Sequence, residues 1–424
     1  MEERNKMAKK IALVLVLVLL ASMLVVVFAG CAKREETLRI YNWGEYMPEE
    51  FTESKFKEFK EWYKEKTGKN ITVQYKEYDT NETMYTQIAT KHVDYDLVCP
   101  SEYMAERMYK EGLLQKLDDE TIAVLKSAIT PSIYTMLDNN IENSANYFMP
   151  YLWGTMGIMF NVNSDENYDV TAAEIEKYGH WASLWDANNV NKIYMKDSVR
   201  DAYSIALLYH YTNDLVAARN TYGYTSTQYQ TILDNIFSTC DDSSVDLAKN
   251  LLTQQKQYVY NYEVDSGKTD MLTTKFTGMF GLFWSCDVGY VMNSIFEDEG
   301  TQNFYYVVPD EGSNVWTDGF AIPKYAKNTE AANLFLQWLC DAEVASACME
   351  YCGATTGVQA GADLYKSICE ADEDGFFEGT YDGFKEMYMD MMFPSADVLN
   401  RCGVMMDFGS YNEKLDKMWM DIVA

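Results

Sequence analysis

The sequence predicts an α/β protein, because short apolar strands alternate with amphipathic helices in its first part. Strands are expected at 38–41, 71–75 and 95–99, and helices at 49–66 and 82–91 separate them. Strand, helix and strand joined by short connections are typical of a parallel, doubly wound sheet. A chain of 424 residues with 48% hydrophobic content is also long enough for two globular lobes.

A second lobe is expected after a long apolar passage at 146–161, which we interpret as two extended runs broken at Trp153-Gly154. The strands and helices of the remaining chain follow the same hydrophobic periodicities. Strands are expected at 192–195, 278–284, 304–308 and 316–322, and helices at 202–211, 329–350 and 405–422.

The amino terminus has the order of an export signal. Lysines precede an apolar run from Ile11 to Phe28, and Ala29-Gly30-Cys31 follows. The run is also long enough to remain as an uncleaved membrane anchor. This end resembles the lipobox of bacterial lipoproteins, which implies a signal peptide at 1–30, a lipidated Cys31 and a short tether at 31–37.

The net charge of −30 makes some classes of binding partner unfavourable. The first ten residues hold four cations and two anions, so the chain from Cys31 onward carries −32. Such a surface disfavours nucleic acid and anionic lipid, and it raises the local concentration of cations. We therefore expect no nucleic-acid partner.

The cysteines indicate neither a disulfide framework nor a metal site. Eight of them follow Cys31 without regular spacing, and a protein of this size does not need disulfides. Cys348 and Cys352 are four residues apart on an expected helix, but no histidine lies near them in the sequence. We expect several free, buried cysteines and no metal.

The motifs of the common enzyme classes are missing. His92, His180 and His210 have neither metal-ligand spacing nor a nucleophile motif around them, and no phosphate-cradling or dinucleotide-binding glycine pattern is present. A pair of acids for glycoside hydrolysis is a spatial arrangement that sequence does not exclude. Hydrolysis stays a minor alternative, and no cofactor is expected.

Aromatic rings recur beside carboxylates at the ends of the expected strands. The groups are Trp43 with Glu45 and Tyr46, Trp284 with Asp287, and Trp316 with Asp318. Indole faces attract ammonium groups, and carboxylates give them charge-assisted hydrogen bonds. The combination indicates an elongated cation whose charges are separated by hydrocarbon. A sugar would also use aromatic platforms, but it would need more amide and arginine donors.

Five separated motifs, at 41–46, 81–85, 95–103, 151–155 and 284–287, closely resemble those of the spermidine/putrescine-binding proteins of bacterial ABC importers. The resemblance runs in order from about Leu38 to the last helix. It implies the fold of a type II periplasmic binding protein, which has two doubly wound α/β lobes joined by a hinge.

The resemblance also implies that each lobe is discontinuous in sequence. The N-lobe would comprise 38–147 plus 284–327, and the C-lobe 148–283 plus 328–424. The residues implied to contact a ligand are Trp43, Tyr46, Ser101, Tyr103, Asp201, Trp284, Asp287, Trp316 and Asp318. Read by itself, Asp201 at a helix start is ordinary capping. Gly44, Ser198 and Cys286 depart from the family's pattern, so the preferred polyamine stays open.

The expected function is therefore that of a monomeric, extracytoplasmic, lipid-anchored binding protein. It would hold putrescine or spermidine in the cleft between its lobes and deliver it to an ABC permease with its ATPase, with no catalytic residues. The same fold could instead bind another solute, such as a sugar, an iron complex or an amino-acid derivative.

Overall fold

The computed structural model describes residues 36–44, 46–47, 49–163, 171–264, 266–271, 279–298, 303–378, 380 and 383–424. The predicted signal peptide, Cys31, most of the predicted tether and Glu45 lie outside the described residues. Residues 36 and 37, predicted as the end of the tether, already belong to the first strand. No helix in the described ranges is both long enough and apolar enough to cross a membrane.

The described strands are numbered in chain order. They are β1 (Glu36–Trp43), β2 (Ile71–Tyr78), β3 (Leu97–Val98), β4 (Met149–Asn163), β5 (Ile193–Lys196), β6 (Val259–Glu263), β7 (Phe280–Trp284), β8 (Asn303–Val307), β9 (Ser313–Phe320), β10 (Thr355–Thr356) and β11 (Cys402–Gly403).

The described helices are numbered likewise. They are α1 (Glu49–Thr67), α2 (Asn81–Ala89), α3 (Glu102–Lys110), α4 (Asp119–Ala128), α5 (Pro131–Leu137), α6 (Ala172–Tyr178), α7 (Val199–Tyr222), α8 (Thr227–Ser238), α9 (Asp242–Gln255), α10 (Ser266–Met271), α11 (Ser285–Asp298), α12 (Thr329–Trp338), α13 (Ala342–Cys352), α14 (Gln359–Ala371), α15 (Phe384–Met392), α16 (Ala396–Asn400) and α17 (Asn412–Val423).

The first lobe is built on the parallel sheet β2-β1-β3, which confirms the prediction. Ile40, in the middle strand, pairs with Tyr75 on one side and Leu97 on the other. Helix α1 covers this sheet with the aromatic face that its periodicity predicts, since Phe59 and Tyr63 are fully buried. The Phe59 ring meets the Phe335 ring of α12 edge-on at 5.0 Å.

The second lobe contains the parallel strands β6-β5-β7, followed by β4 and β8, which run antiparallel. Its core includes Trp181, which is fully buried and donates a 2.7 Å hydrogen bond from Nε1 to the Gly312 carbonyl. Helix α7, which we predicted at 202–211, is longer and runs from Val199 to Tyr222. The two-lobed α/β fold is therefore confirmed.

Strand β4 connects the lobes without the interruption predicted at Trp153-Gly154. From Met149 to Thr155 it pairs with β9, and from Met156 onward it pairs with β7 and β8. The prediction of a break was wrong because a glycine can remain in an extended strand. This change of partner along one continuous strand joins the two lobes.

The hydrophobic clusters follow the same division. One cluster includes residues of β1, β3 and α1, and another includes Met156, Trp181 and residues of α7. The first cluster also includes Phe335 and Trp338 of α12, which the predicted boundaries assign to the C-lobe. The predicted boundaries also assign 284–308 to the N-lobe, whereas Trp284 ends β7 and β8 pairs with β4 in the sheet of the second lobe. The exact residue boundaries of the lobes stay a prediction.

Two predicted helices need correction. The helix expected at 329–350 is divided into α12 and α13, because Asp341 accepts hydrogen bonds from the backbone N–H groups of Glu343 and Val344 and thereby begins a new helix. The helix expected at 405–422 begins only at Asn412, after a short 3₁₀ turn at Gly409–Tyr411. In the described part of the chain no disulfide links the eight cysteines.

Candidate functional site

A cleft of about 370 Å³ is lined by residues of both lobes. This volume lies in the range that holds a small molecule. The cleft brings together all the residues implied as ligand contacts from the sequence: Trp43, Tyr46, Ser101, Tyr103, Asp201, Trp284, Asp287, Trp316 and Asp318. Their placement in one cavity is a finding, whereas their contact with a ligand stays a prediction.

Asp318 lies on the first-lobe wall of the cleft and is 5% exposed. Tyr46 donates a 2.6 Å hydrogen bond to its Oδ2, and Ser101 donates a 2.5 Å hydrogen bond to its Oδ1. Burial raises the pKa of Asp318 to about 6, since desolvation outweighs these two hydrogen bonds, which lower it. No described lysine or arginine forms an ion pair with this carboxylate.

The side chain of Asn81 holds this wall together. Its Nδ2 donates hydrogen bonds of 3.0 Å to Ser101 Oγ and to Tyr103 Oη, and its Oδ1 accepts one of 3.1 Å from the Ser101 backbone N–H. Asn81 is 3% exposed and stands at the first position of α2. The sequence motif at 81–85 includes this residue, but our prediction gave it no role.

The rings of Trp43 and Tyr78 also belong to the first-lobe wall. Trp43, at the end of β1, packs on Tyr78 at 4.8 Å between ring centroids and lies 6.2 Å from the Tyr46 ring. The backbone carbonyl of Tyr46 accepts a 2.8 Å hydrogen bond from Tyr151 of β4. The rings are therefore held in place, and hydrocarbon can pack against them.

Trp316 lies where β4 passes from one lobe to the other. Its Nε1 donates a 3.3 Å hydrogen bond to the Thr155 carbonyl. This approach needs a glycine at position 154, because a Cβ there would lie 2.7 Å from Trp316 Cζ2 and 2.2 Å from Ser285 Oγ. Position 154 thus fixes how closely the indole packs on the connecting strand.

Asp201 lies on the second-lobe wall, in the first turn of α7, and is 6% exposed. Trp284 donates a 3.1 Å hydrogen bond from its indole Nε1 to Asp201 Oδ2. Burial raises the pKa of Asp201, although hydrogen bonds from Ser198 and Trp284 and the charges of Lys196 and Arg200 lower it. No ion pair to Asp201 forms within the described ranges.

Asp287 also lines the second-lobe wall, but it already has a cationic partner within the chain. Lys196, at the end of β5, places Nζ 2.9 Å from Asp287 Oδ2. The same oxygen accepts a 2.9 Å hydrogen bond from the Trp284 backbone N–H. Our sequence reasoning missed Lys196, because a single lysine at a strand end forms no recognisable pattern.

Two cations that the prediction did not include, Arg200 and Lys268, also line the cleft. The Arg200 guanidinium packs on the Phe408 and Tyr103 rings, at 3.8 and 4.7 Å from their centroids, and its Nη2 donates a 2.6 Å hydrogen bond to the Met406 carbonyl. Lys268 lies 4.5 Å from the centroid of the Tyr290 ring.

Glu102, another buried residue of the cleft, lies within the sequence motif at 95–103, but our prediction gave it no role. Its Oε2 accepts a 2.8 Å hydrogen bond from the Thr317 backbone N–H. Burial raises the pKa of Glu102 to about 8, since this hydrogen bond offsets only part of the desolvation. Glu102 is therefore largely neutral at neutral pH.

Two α/β lobes, a cleft between them and rings beside carboxylates on both walls define the class of solute-binding proteins. The sequence pattern of the family described as "Bacterial extracellular solute-binding protein" matches residues 57–368. The chain belongs to this family.

Curated relatives are similar over most of the chain. The "Spermidine/putrescine-binding periplasmic protein" of Salmonella typhimurium is 29% identical over 329 residues, which are 77% of this chain and 79% of the relative. The "Spermidine/putrescine-binding periplasmic protein 1" of Haemophilus influenzae is 24% identical over 396 residues, 93% of this chain and 90% of the relative. The names of both relatives place them in the periplasm.

Solved structures support the fold. A "Putative spermidine/putrescine ABC transporter" from Listeria monocytogenes superposes with a TM-score of 0.65 at 23% identity, over 92% of this chain and 99% of the other. At this identity the likeness concerns the fold alone. It agrees with the two-lobed architecture predicted from the sequence.

Proposed function

We propose that this protein captures a polyamine, putrescine or spermidine, between its lobes and delivers it to an ABC permease. Asp318 and Asp201 would each receive an ammonium group, and the rings of Trp43, Tyr103 and Trp316 would cover the hydrocarbon between the charges. The relatives whose names state spermidine and putrescine binding support this ligand class. No reaction takes place in this proposal.

One observation carries the proposal. Asp318 and Asp201 are two buried carboxylates on opposite walls of one cleft, and neither forms an ion pair within the described residues. They are close enough for the charge of Asp201 to raise the pKa of Asp318. Buried charges of one sign are costly unless they are paired, and an elongated cation would pair both.

Closure of the cleft would follow from the same contacts. A ligand shifts a hinge equilibrium only by its differential affinity for the open and closed states. A diammonium ligand that touches Asp318 on one lobe and Asp201 on the other would bind the closed state more tightly, and the closed form would then be presented to the permease.

The proposal includes attachment to the membrane through a diacylglyceryl group on Cys31, with the protein acting as an extracytoplasmic monomer. The order of lysines, apolar run and Ala29-Gly30-Cys31 supports this. Growth of cells with radioactive palmitate tests it: label should be incorporated into the wild-type protein and not into Cys31→Ser.

A second candidate ligand is favoured by the cations of the cleft. Arg200 and Lys268 line the cavity together with the carboxylates, and cations beside acids suit a solute with both an ammonium and a carboxylate group, such as an amino-acid derivative. The compound 4-aminobutyrate is a matched probe, because it keeps the four-carbon chain of putrescine and carries a carboxylate in place of one terminal aminomethyl group.

Isothermal titration calorimetry of the mature protein separates the candidates. We expect a dissociation constant on the order of micromolar or tighter for putrescine or spermidine and no heat with 4-aminobutyrate. Binding of 4-aminobutyrate without binding of any polyamine would contradict the proposal. Incubation with aryl glycosides should release no aglycone, since no hydrolysis is expected.

A further inference from the structure

A lysine of the chain itself stands beside Trp284 and Asp287. Lys196 is the last residue of β5, and its side chain is 0% exposed. Its Nζ lies 2.9 Å from Asp287 Oδ2 and 4.4 Å from the centroid of the Trp284 ring. An ammonium group between an indole face and a carboxylate is the arrangement that a bound amine would adopt.

The surroundings keep Lys196 protonated. Burial by itself would lower the pKa of the ammonium group, but the charges of Asp287 and Glu263 outweigh it, so the pKa is raised. Glu263 Oε1 lies 3.8 Å from Nζ, and Nζ also donates a hydrogen bond to the Val264 carbonyl. The lysine charge therefore neutralises Asp287 from within the chain.

We propose that Lys196 serves as a built-in ammonium group at the Trp284–Asp287 position, so that the cleft accepts a ligand with two ammonium groups rather than three. This inference rests on the proposed function, which it deepens by naming the diamine class. Asp318 and Asp201 remain as the carboxylates that a ligand can pair, one on each wall. Asp287 then keeps the Trp284 backbone and the start of α11 in place.

The charge at the Trp284–Asp287 end of the cleft also favours a ligand with two ammonium groups. Lys268 lines the cavity and is 7% exposed, and its charge acts unfavourably on Lys196. A third ammonium group of a triamine would meet Lys268 there and would find Asp287 already paired with Lys196. Like charges placed together in a desolvated site disfavour binding, which makes this end a means of rejecting longer polyamines.

The test uses Lys196→Ala, which removes the charge and leaves room for an ammonium group beside Asp287. Calorimetry with putrescine and spermidine should show tighter binding of putrescine by the wild-type protein. In Lys196→Ala the ratio of spermidine affinity to putrescine affinity should rise at least about tenfold, as expected for one charge-assisted hydrogen bond.

Two further variants serve as controls. Lys249→Ala removes the same atoms from an exposed lysine, which pairs with Asp421 at 2.8 Å, and it should leave the affinity ratio unchanged. The double variant Lys196→Met with Asp287→Asn removes the ammonium group and also the carboxylate that a ligand could pair, so it should show no gain for spermidine.

Where Lys196→Ala does not fold by itself, n-propylammonium is the probe, because it supplies the atoms that the substitution removes. Refolding with n-propylammonium but not with n-propanol supports the inference, and refolding with neither overturns it. Tighter spermidine binding by the wild-type protein, or an unchanged ratio in folded Lys196→Ala, also overturns it. A wild-type protein that binds no polyamine contradicts the proposed function instead.

Discussion

Ser101 donates a 2.5 Å hydrogen bond to Asp318 across 217 positions of sequence. The two residues also form an isolated antiparallel bridge, so their backbones are neighbours as well. A loop before α3 and the end region of β9 thus meet at a single carboxylate. The first-lobe wall of the cleft depends on this contact between Ser101 and Asp318.

Asp318→Asn should weaken putrescine binding by about tenfold to a hundredfold, because a charge-assisted hydrogen bond contributes roughly 1.5–3 kcal/mol. Calorimetry measures the loss. The exposed carboxylate of Asp119, which pairs with Lys116 at 3.1 Å, offers a matched control, and Asp119→Asn should bind like the wild type. Equal affinities for wild type and Asp318→Asn would remove Asp318 from the binding site.

The same substitution should stabilise the protein without ligand. The folded-state pKa of Asp318 is raised from 3.8 to about 6, so the ionised carboxylate opposes folding above about pH 6, and this cost disappears as the pH falls from about 6 to about 4. Asp318→Asn should therefore gain on the order of 2 kcal/mol at neutral pH and much less at about pH 4. Urea unfolding at both pH values measures the difference.

Ligand binding should show the opposite dependence on pH. The ammonium group pairs with the ionised form of Asp318, so protonation below about pH 6 competes with the ligand. Affinity should be level above about pH 7 and fall about tenfold by about pH 5, where only about a tenth of the carboxylate is ionised. Calorimetry in buffers of different ionisation enthalpy should also detect proton release, and a flat profile would contradict this role.

The two hydroxyl donors to Asp318 should shift this pH profile. Both hydrogen bonds lower the pKa of the carboxylate, so Ser101→Ala and Tyr46→Phe should each move the midpoint of the affinity profile upward. Ser127→Ala is the control: it removes an exposed hydroxyl that donates a 2.9 Å hydrogen bond to the Val124 carbonyl. It should leave the midpoint of the affinity profile unchanged. A change in affinity at all pH values without a shifted midpoint would indicate a merely structural role.

Gly154→Ala should disturb Trp316. The new Cβ would lie 2.7 Å from Trp316 Cζ2 and 2.2 Å from Ser285 Oγ, which is closer than van der Waals contact allows, and such overpacking costs about 1–3 kcal/mol. Urea unfolding should show this loss, and putrescine affinity should fall as well. Gly44→Ala is the control for stability, because nothing lies within 4 Å of the added Cβ.

Sequence reasoning predicted the first lobe because its strands and helices follow separate periodicities. It also predicted which rings and acids share a cleft, because they stand at the ends of strands and within motifs of a known family. Lys196 was missed because its role depends on β5 lying beside β7, a pairing that no local pattern encodes. The cap at Asp341 was a local signal that would have divided the helix expected at 329–350.

Thr155 is the last residue of β4 that pairs with β9, and Met156 is the first that pairs with β7. The Thr155 carbonyl accepts the hydrogen bond of the Trp316 indole, and the Thr155 backbone N–H donates one of 3.2 Å to Ser285 Oγ. A rotation of the β4 backbone at Thr155 that turns one lobe against the other would therefore also move the Trp316 indole in the cavity wall. Opening and closing would then alter the shape of the pocket itself, besides admitting or releasing what it holds.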